Sequence, residues 1–225
     1  MKKTGRIQRT DGEATHRRIL DVAGELFASI GFAETTNKMV AAKAEVDLAS
    51  INYHFGSRNG LYQAVLVEAH RRLISLEGLQ QLALTDLSAR EKLKSFIGML
   101  VETAIVSRNW YARILSREFL SPTSHLQTLQ QTEFPAKLPF ILDILGEITA
   151  IPRDDPSLLR CLISVMAPCA MLLVVGPYAP PFADEIYRMP KTVLVEHLYS
   201  FAIGGLETIG REYAGRSPTD DLTTP

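Results

Sequence analysis

Residues 51–62 read INYHFGSRNGLY. Within them a phenol, an imidazole and a guanidinium, at Tyr53, His54 and Arg58, fall in six positions. These are donor types that phosphate oxygens accept from. Ile51 and Phe55, four apart, share one face of a helix with Leu48 beside them. Ala49, Ser50, Asn52 and Tyr53 are left on the other face. Small and hydrogen-bonding side chains on the outside of a short helix suit the major groove of duplex DNA, where an Asn fits the N6 and N7 edge of adenine. A merely solvated helix normally carries Glu and Lys. This one has no Arg or Lys, so electrostatic attraction must come from its flanks: Lys38, Arg58 and the N-terminal arm. The competing reading, that Tyr53 and His54 close an amphipathic core and touch no partner, stays open on these residues alone.

Three short helices must hold these groups. The first is expected over residues 11–30. Thr10-Asp11-Gly12-Glu13 has the form of a capping box, and Ile19, Val22, Ala23, Leu26, Phe27 and Ile30 recur at helical spacing. Gly31 is a stop signal. Thr35-Thr36 caps a second helix over 37–43, which presents Thr36, Asn37 and Lys38 at its start. A turn at 44–46 and an Asp47 cap lead to the third helix, over 48–54. Val46 and Ile51 take the positions of a hydrophobic staple. Ser57 caps a fourth helix running to about residue 77. Short helices joined by brief turns are the skeleton of a helix-turn-helix.

The remainder is helical in period. Residues 79–87 read as a connection, 88–107 and 109–120 as helices, and 124–150 as a helix that Pro135 and Pro139 must break or kink. Asp155-Pro156 opens a helix to about residue 175, with a bend near Pro168. GPYAPPFAD, at 176–184, reads as a loop, 190–213 as a last helix, and the polar 217–225 as disordered. The fold class is all-α. The expected organisation is an N-terminal arm and helix-turn-helix DNA-binding domain at 1–62, a C-terminal helical domain for ligand binding and dimerisation at 63–215, and a disordered tail at 216–225.

Composition excludes several classes. The net charge of −1 gives no global basic excess. Yet residues 1–18 hold Lys2, Lys3, Arg6, Arg9, Arg17 and Arg18 against Asp11 and Glu13. Such an arm finds phosphate by counterion release, or is simply a solvated terminus; both readings stand. No uninterrupted run of 18 apolar residues is present, so no membrane span is expected. The start lacks the apolar core of a signal peptide. Cys161 and Cys169 fit no metal spacing and read as buried thiols of a cytoplasmic protein. His16, His54, His70, His125 and His197 contain no i, i+4 pair, and no nucleophile turn accompanies them. The expectation is no enzyme, no cofactor and no metal site.

Residues 15–66, THRRILDVAGELFASIGFAETTNKMVAAKAEVDLASINYHFGSRNGLYQAVL, resemble the TetR family of bacterial transcriptional regulators. The resemblance is carried by Ile19-Leu20, Gly31-Phe32, Thr35-Thr36 and Tyr53-His54-Phe55-Gly56-Ser57-Arg58. Departures are Glu45 at the usual turn glycine, Asn52 at a frequent tyrosine, Arg58 for Lys and Asp47 for Ser. They suggest an operator unlike the commonest ones. SREFLSPT, at 116–123, and the INYHFG ending resemble a subgroup with a CecR-like C-terminal domain. The resemblance implies double-stranded DNA as a partner, a homodimer formed through the last two long helices, and a variable domain that takes a small effector.

Candidates for that effector pocket are Phe96, Met99, Leu100, Trp110, Ile114, Arg117, Met166 and Met171. Apolar stripes of this kind equally build a core. Arg113, Arg117 and Glu118 either orient a polar ligand group or pair among themselves and with neighbouring helices. Residues 158–175 are apolar almost all round, and 193–209 carry an apolar stripe with Gly204 and Gly205, so both segments must be buried, within one subunit or across two. The resulting expectation is a ligand-responsive regulator, a repressor in sign, whose effector moves two recognition helices off a groove repeat of about 34 Å. The rival is a helical protein-binding adaptor that has lost DNA binding, supported by Glu45 and by the absence of a base on the third helix.

Overall fold

The computed structural model describes residues 4–106, 109–178 and 182–215. Every element among them is a helix: α1 (Thr4–Ile30), α2 (Asn37–Lys43), α3 (Leu48–Phe55), α4 (Arg58–Leu73), α5 (Leu76–Ala83), α6 (Ala89–Val106), α7 (Trp110–Leu120), α8 (Leu126–Thr132), α9 (Phe134–Thr149), α10 (Pro156–Tyr178), α11 (Phe182–Arg188) and α12 (Lys191–Ala214). The all-α reading holds. The chain forms two compact units, Met1–Leu73 with Val106–Phe134, and Ile74–Ile105 with Pro135–Pro225. Residue 62, the expected edge of the DNA-binding segment, falls within α4.

Several expected boundaries are corrected. α1 starts at Thr4, so the Thr10–Glu13 capping pattern lies inside the helix, where no proline interrupts backbone bonding. The fourth helix ends at Leu73 because the Ser75 hydroxyl accepts from the Gly78 N–H at 3.1 Å and starts α5 across part of the expected connection. Pro135 sits in the first turn of α9, where a missing N–H costs nothing, and Pro139 is carried inside it. Gly176, Pro177 and Tyr178 continue α10, and Phe182, Ala183 and Asp184 begin α11, where a loop was expected. The rest of that loop, Lys2 and Lys3 of the arm, and the expected disordered tail from residue 216 lie outside the described residues.

In the first unit α1, α4 and α7 pack together. Ile19, Ala23 and Phe27 of α1, Leu61, Val65 and Leu66 of α4, and Trp110, Ile114 and Leu115 of α7 are buried. α1 meets α7 at Gly24. A Cβ there would lie 2.4 Å from two carbons of the Trp110 ring. In the second unit Leu93, Phe96 and Ile97 of α6, Ile141 and Leu145 of α9, and Leu158, Cys161, Val165 and Cys169 of α10 are buried. Both cysteines are unpaired thiols, and burial raises Cys169 to about 11. α12 is pinned by the Tyr213 hydroxyl, which donates to Asp155 at 2.7 Å. The stretch Pro156–Val174 of α10 is long and apolar enough to cross a membrane by length and composition. The sequence expectation takes 165–176 as the longest apolar stretch, interrupted by Pro168; α10 runs through Pro168 as one helix. One face of the stretch is buried in the second unit.

Gly24→Ala should destabilise the protein. Overpacking against an immobile ring costs about 1–3 kcal/mol, against a helix-propensity gain of up to about 1 kcal/mol. Urea unfolding of the variant checks the sign; a rise in the midpoint would mean that Trp110 can move aside.

Candidate nucleic-acid interface

α2 owes its start to Thr36. Its extended backbone lets the hydroxyl accept from the Met39 N–H at 3.2 Å. Thr35 turns inward and its hydroxyl donates to the Gly31 carbonyl at 2.7 Å. Val40 and Ala41 are buried, and Lys38 and Met39 are exposed. The turn closes with the Val46 N–H donating to the Ala41 carbonyl at 3.0 Å. Glu45 has a φ of 51°, the left-handed region that a glycine would occupy without strain. Asp47 then caps α3, accepting from the Ser50 N–H at 2.6 Å and the Ser50 hydroxyl at 2.5 Å. These bonds hold the Asp47 carboxyl below its usual range.

α3 presents the expected face with two changes. Ile51 is fully buried, and Ala49, Asn52 and Tyr53 are exposed, Tyr53 at 86%. Ser50 is half-buried and its hydroxyl is spent on Asp47. Leu48, expected beside Ile51, is 40% exposed. It is the first residue of a two-turn helix, and no neighbour reaches far enough to cover it. Phe55 is half-buried, and His16 of α1 stacks on it with centroids 4.7 Å apart. His16 also meets His54 edge-on at 5.6 Å, and His54 meets Tyr53 at 5.1 Å. Burial, then the neighbouring His54, lowers the His16 pKa against the opposing pull of Glu68. Gly12, Glu13, His16, Arg17, Leu20, Tyr53, His54 and Glu68 line a groove of about 530 Å³.

The corner between α3 and α4 is narrow. Gly56 has a φ of 72°. A Cβ on Gly60 would lie 2.2 Å from the Phe55 carbonyl oxygen, so only glycine lets α4 start there. The Ser57 hydroxyl accepts from the Gly60 N–H at 3.1 Å. Arg58 does not project freely. Its guanidinium lies 4.4 Å above the Phe32 ring and approaches the carbonyls of Ala33 and Thr35 at 3.5 and 3.4 Å.

The candidate DNA-facing residues Thr36, Asn37, Lys38, Ala49, Ser50, Asn52, Tyr53 and His54 thus occur on α2, its cap and α3, with Arg58 behind them. Sequence reading missed His16, because a pair of histidines 38 positions apart has no local signature. Its register three residues before buried Ile19 was the available clue. The candidate effector residues divide. Trp110, Ile114 and Arg117 belong to the first unit, where Trp110 covers Gly24 and Arg117 approaches Gly31. Phe96 and Leu100 are buried, Met99 and Met166 half-buried, and Met171 exposed, all in the second unit. Among the described residues no group of three His, Cys, Asp or Glu could hold a metal ion.

Comparisons with known proteins give the same assignment from both parts of the chain. Residues 19–65 match bacterial regulatory proteins of the tetR family. Residues 89–206, more than half of the chain, match the C-terminal domain of the HTH-type transcriptional dual regulator CecR. The HTH-type transcriptional regulator YvkB of Bacillus subtilis (strain 168) is 42% identical over 52 residues, 23% of this chain and 28% of that relative. The match therefore spans little more than a quarter of that relative's length. Among solved structures, the fatty acid degradation regulator FadR from Bacillus halodurans superposes with a TM-score of 0.67 at 15% identity, over 91% of this chain and 98% of that one. FadR from Bacillus subtilis in complex with stearoyl-CoA gives 0.67 at 14% identity, over 84% and 98%. A capped two-helix reader and a matched regulatory domain meet in one chain, which belongs to the tetR family of bacterial transcriptional regulators with a C-terminal domain of the CecR type.

Proposed function

We propose that this regulator is a cytoplasmic homodimeric repressor that leaves a palindromic operator when a small molecule binds. The observation that carries the reading is α3, whose Ile51 is buried while Asn52, Ala49 and Tyr53 face out from a helix capped at both ends. In this reading residues 1–62 bind DNA, 63–215 bind effector and dimerise, and 216–225 form a tail. Asn52 reads a base edge. Thr36, Asn37, Lys38, Tyr53 and His54 contact the backbone, with Ala49 and Ser50 packed in the groove. Arg58 adds positive potential at the start of α4 and braces the turn before α2. Of the effector candidates, Phe96, Met99, Leu100 and Met166 share the second unit. The stearoyl-CoA held by the Bacillus subtilis FadR makes a long-chain acyl-CoA the first probe to try. An effector acts only through its different affinity for the DNA-bound and released states.

The dimer reading is supported by apolar side chains left uncovered on α10 and α12, which pack against each other. Leu159, Ile163 and Met171 are 47, 66 and 53% exposed on one face of α10. Val193 and Phe201 are 52 and 71% exposed on α12. Nothing lies within 4 Å of a Cβ built on Gly204 or Gly205, so a further helix has room to approach. Large exposed apolar side chains gathered on two neighbouring helices mark a candidate interaction surface.

The direct test is binding to random duplex DNA across a salt series. Affinity should fall steeply with salt; a flat response would favour the adaptor reading.

Asn52→Ala should weaken operator binding by about ten- to a hundredfold, the equivalent of about 1–3 kcal/mol for one bidentate base contact. Random DNA should be bound almost normally, and tolerance should widen at one base pair per half-site. A series with each operator base substituted in turn checks this. Equal losses on every sequence would leave Asn52 only a backbone-positioning role.

Analytical ultracentrifugation at micromolar concentration should show a dimer without DNA, and the pair Ile163→Asp with Phe201→Asp should shift it to monomer. A monomeric wild-type protein would remove the two-groove mechanism.

A further inference from the structure

SREFLSPT, unused by the DNA contacts, places Glu118 of α7 at 2% exposure inside the first unit. Carboxylates are almost never buried so deeply without partners. One oxygen of Glu118 accepts from the Tyr62 hydroxyl at 2.9 Å. The other accepts from the backbone N–H and the hydroxyl of Thr123 at 2.7 and 2.6 Å. The carboxylate therefore ties α4 to the turn that follows α7. Burial, together with the Glu118 charge and hydrogen bond, raises the Tyr62 pKa, so the phenol stays a donor.

Tyr62 sits one turn beyond Arg58 on α4. Its ring lies 4.7 Å from Phe32 and 5.2 Å from His125. Phe32 in turn carries the Arg58 guanidinium, which faces the carbonyls of Ala33 and Thr35 directly before the α2 cap. The contacts are continuous from Thr123 to Thr35, the residue before the α2 cap, and remain within one unit. Aromatic rings can slide on one another. The Tyr62–Glu118 hydrogen bond cannot, because its geometry is directional.

We propose that Glu118 is a positioning residue for operator recognition: through Tyr62 it fixes α4 and the turn ahead of α2, so that the 118–125 segment sets how α2 and α3 meet DNA. This rests on the DNA-binding reading above and gives SREFLSPT a physical role in it. Gln at position 118 could accept on one side only. Its Oε1 would keep the Thr123 donors and its NH2 would face Tyr62, whose hydroxyl must reverse and accept, so a weaker neutral bond replaces the charge-assisted one that holds α4.

The test starts with an operator selected by the wild-type protein from a random duplex pool. Affinity for that duplex and for random duplex is then measured for Glu118→Gln, Tyr62→Phe and the double variant, at a temperature where circular dichroism shows each fully folded. Each single variant should lose about two- to thirtyfold on the operator. The double should lose no more than the worse single, because both act through one bond. Random-duplex affinity and its salt dependence should not change. Additive losses, unchanged operator affinity in both singles, or equal losses on operator and random duplex would overturn the proposal. If Glu118→Gln does not fold, the operator-to-random ratio of Tyr62→Phe decides alone, since that change removes one hydroxyl and keeps the ring contacts. A wild-type protein that selects no duplex at all overturns the DNA-binding reading, and this proposal with it; selection followed by unaltered variants overturns only the proposal.

Discussion

α3 has eight residues and one fully buried side chain, Ile51. A helix that short does not persist on its own in water. Its orientation is imposed from outside, and every nearby feature serves that constraint. Asp47 satisfies the Ser50 N–H at its start. Gly56 ends it, and Gly60 lets α4 begin where a Cβ would lie 2.2 Å from the Phe55 carbonyl oxygen. His16 stacks on Phe55 from α1. The outward face is thereby freed of structural duty, and Asn52 and Tyr53 can be chosen for a partner.

The charge distribution follows the same division. Several cations of the first unit are engaged within the protein. Lys43 pairs with Glu25, Arg72 with Asp21 and Glu68, and Arg71 with Glu133. The exposed Lys43–Glu25 pair adds little stability, but all of these pairings remove charge from any electrostatic attraction to phosphate. Arg17, Arg18 and Lys38 remain exposed on α1 and α2. With a net charge of −1, affinity then depends on how well a few donors are placed, more than on a broad basic field. In the proposed DNA-binding role, geometry at α3 accordingly matters more than it would in a strongly basic protein.

What was legible in the sequence was what is local. Thr36, Asp47 and Ser57 each accept from an N–H three residues ahead, as their types and spacing required. Ile51 was placed inside by its four-residue relation to Phe55. The features that were not legible all join distant residues or compare competing local signals. The Thr10–Glu13 pattern looked like a start, yet nothing before it stops a helix. Leu48 has the right type for the inner face but no neighbour to cover it. Trp110 looked equally suited to an effector site, and its packing against α1 is at Gly24, 86 positions earlier. The pairing of His16 with His54 follows from how α1 crosses α3, which periodicity does not encode.

Glu118 shows why such a contact persists in an apolar junction. Replacing a buried polar group and its partners by well-fitted apolar side chains often leaves stability unchanged or raises it. Stability alone therefore does not favour a carboxylate between α4 and α7. Its distinguishing property is that a hydrogen bond admits one arrangement, whereas stacked rings admit a range. Phe27, Phe32 and His125 around Tyr62 supply contact area, and the Tyr62 hydroxyl on Glu118 selects among the positions they allow. If α3 reads DNA as proposed, a directional bond behind α4 would do for that short helix what its own length cannot.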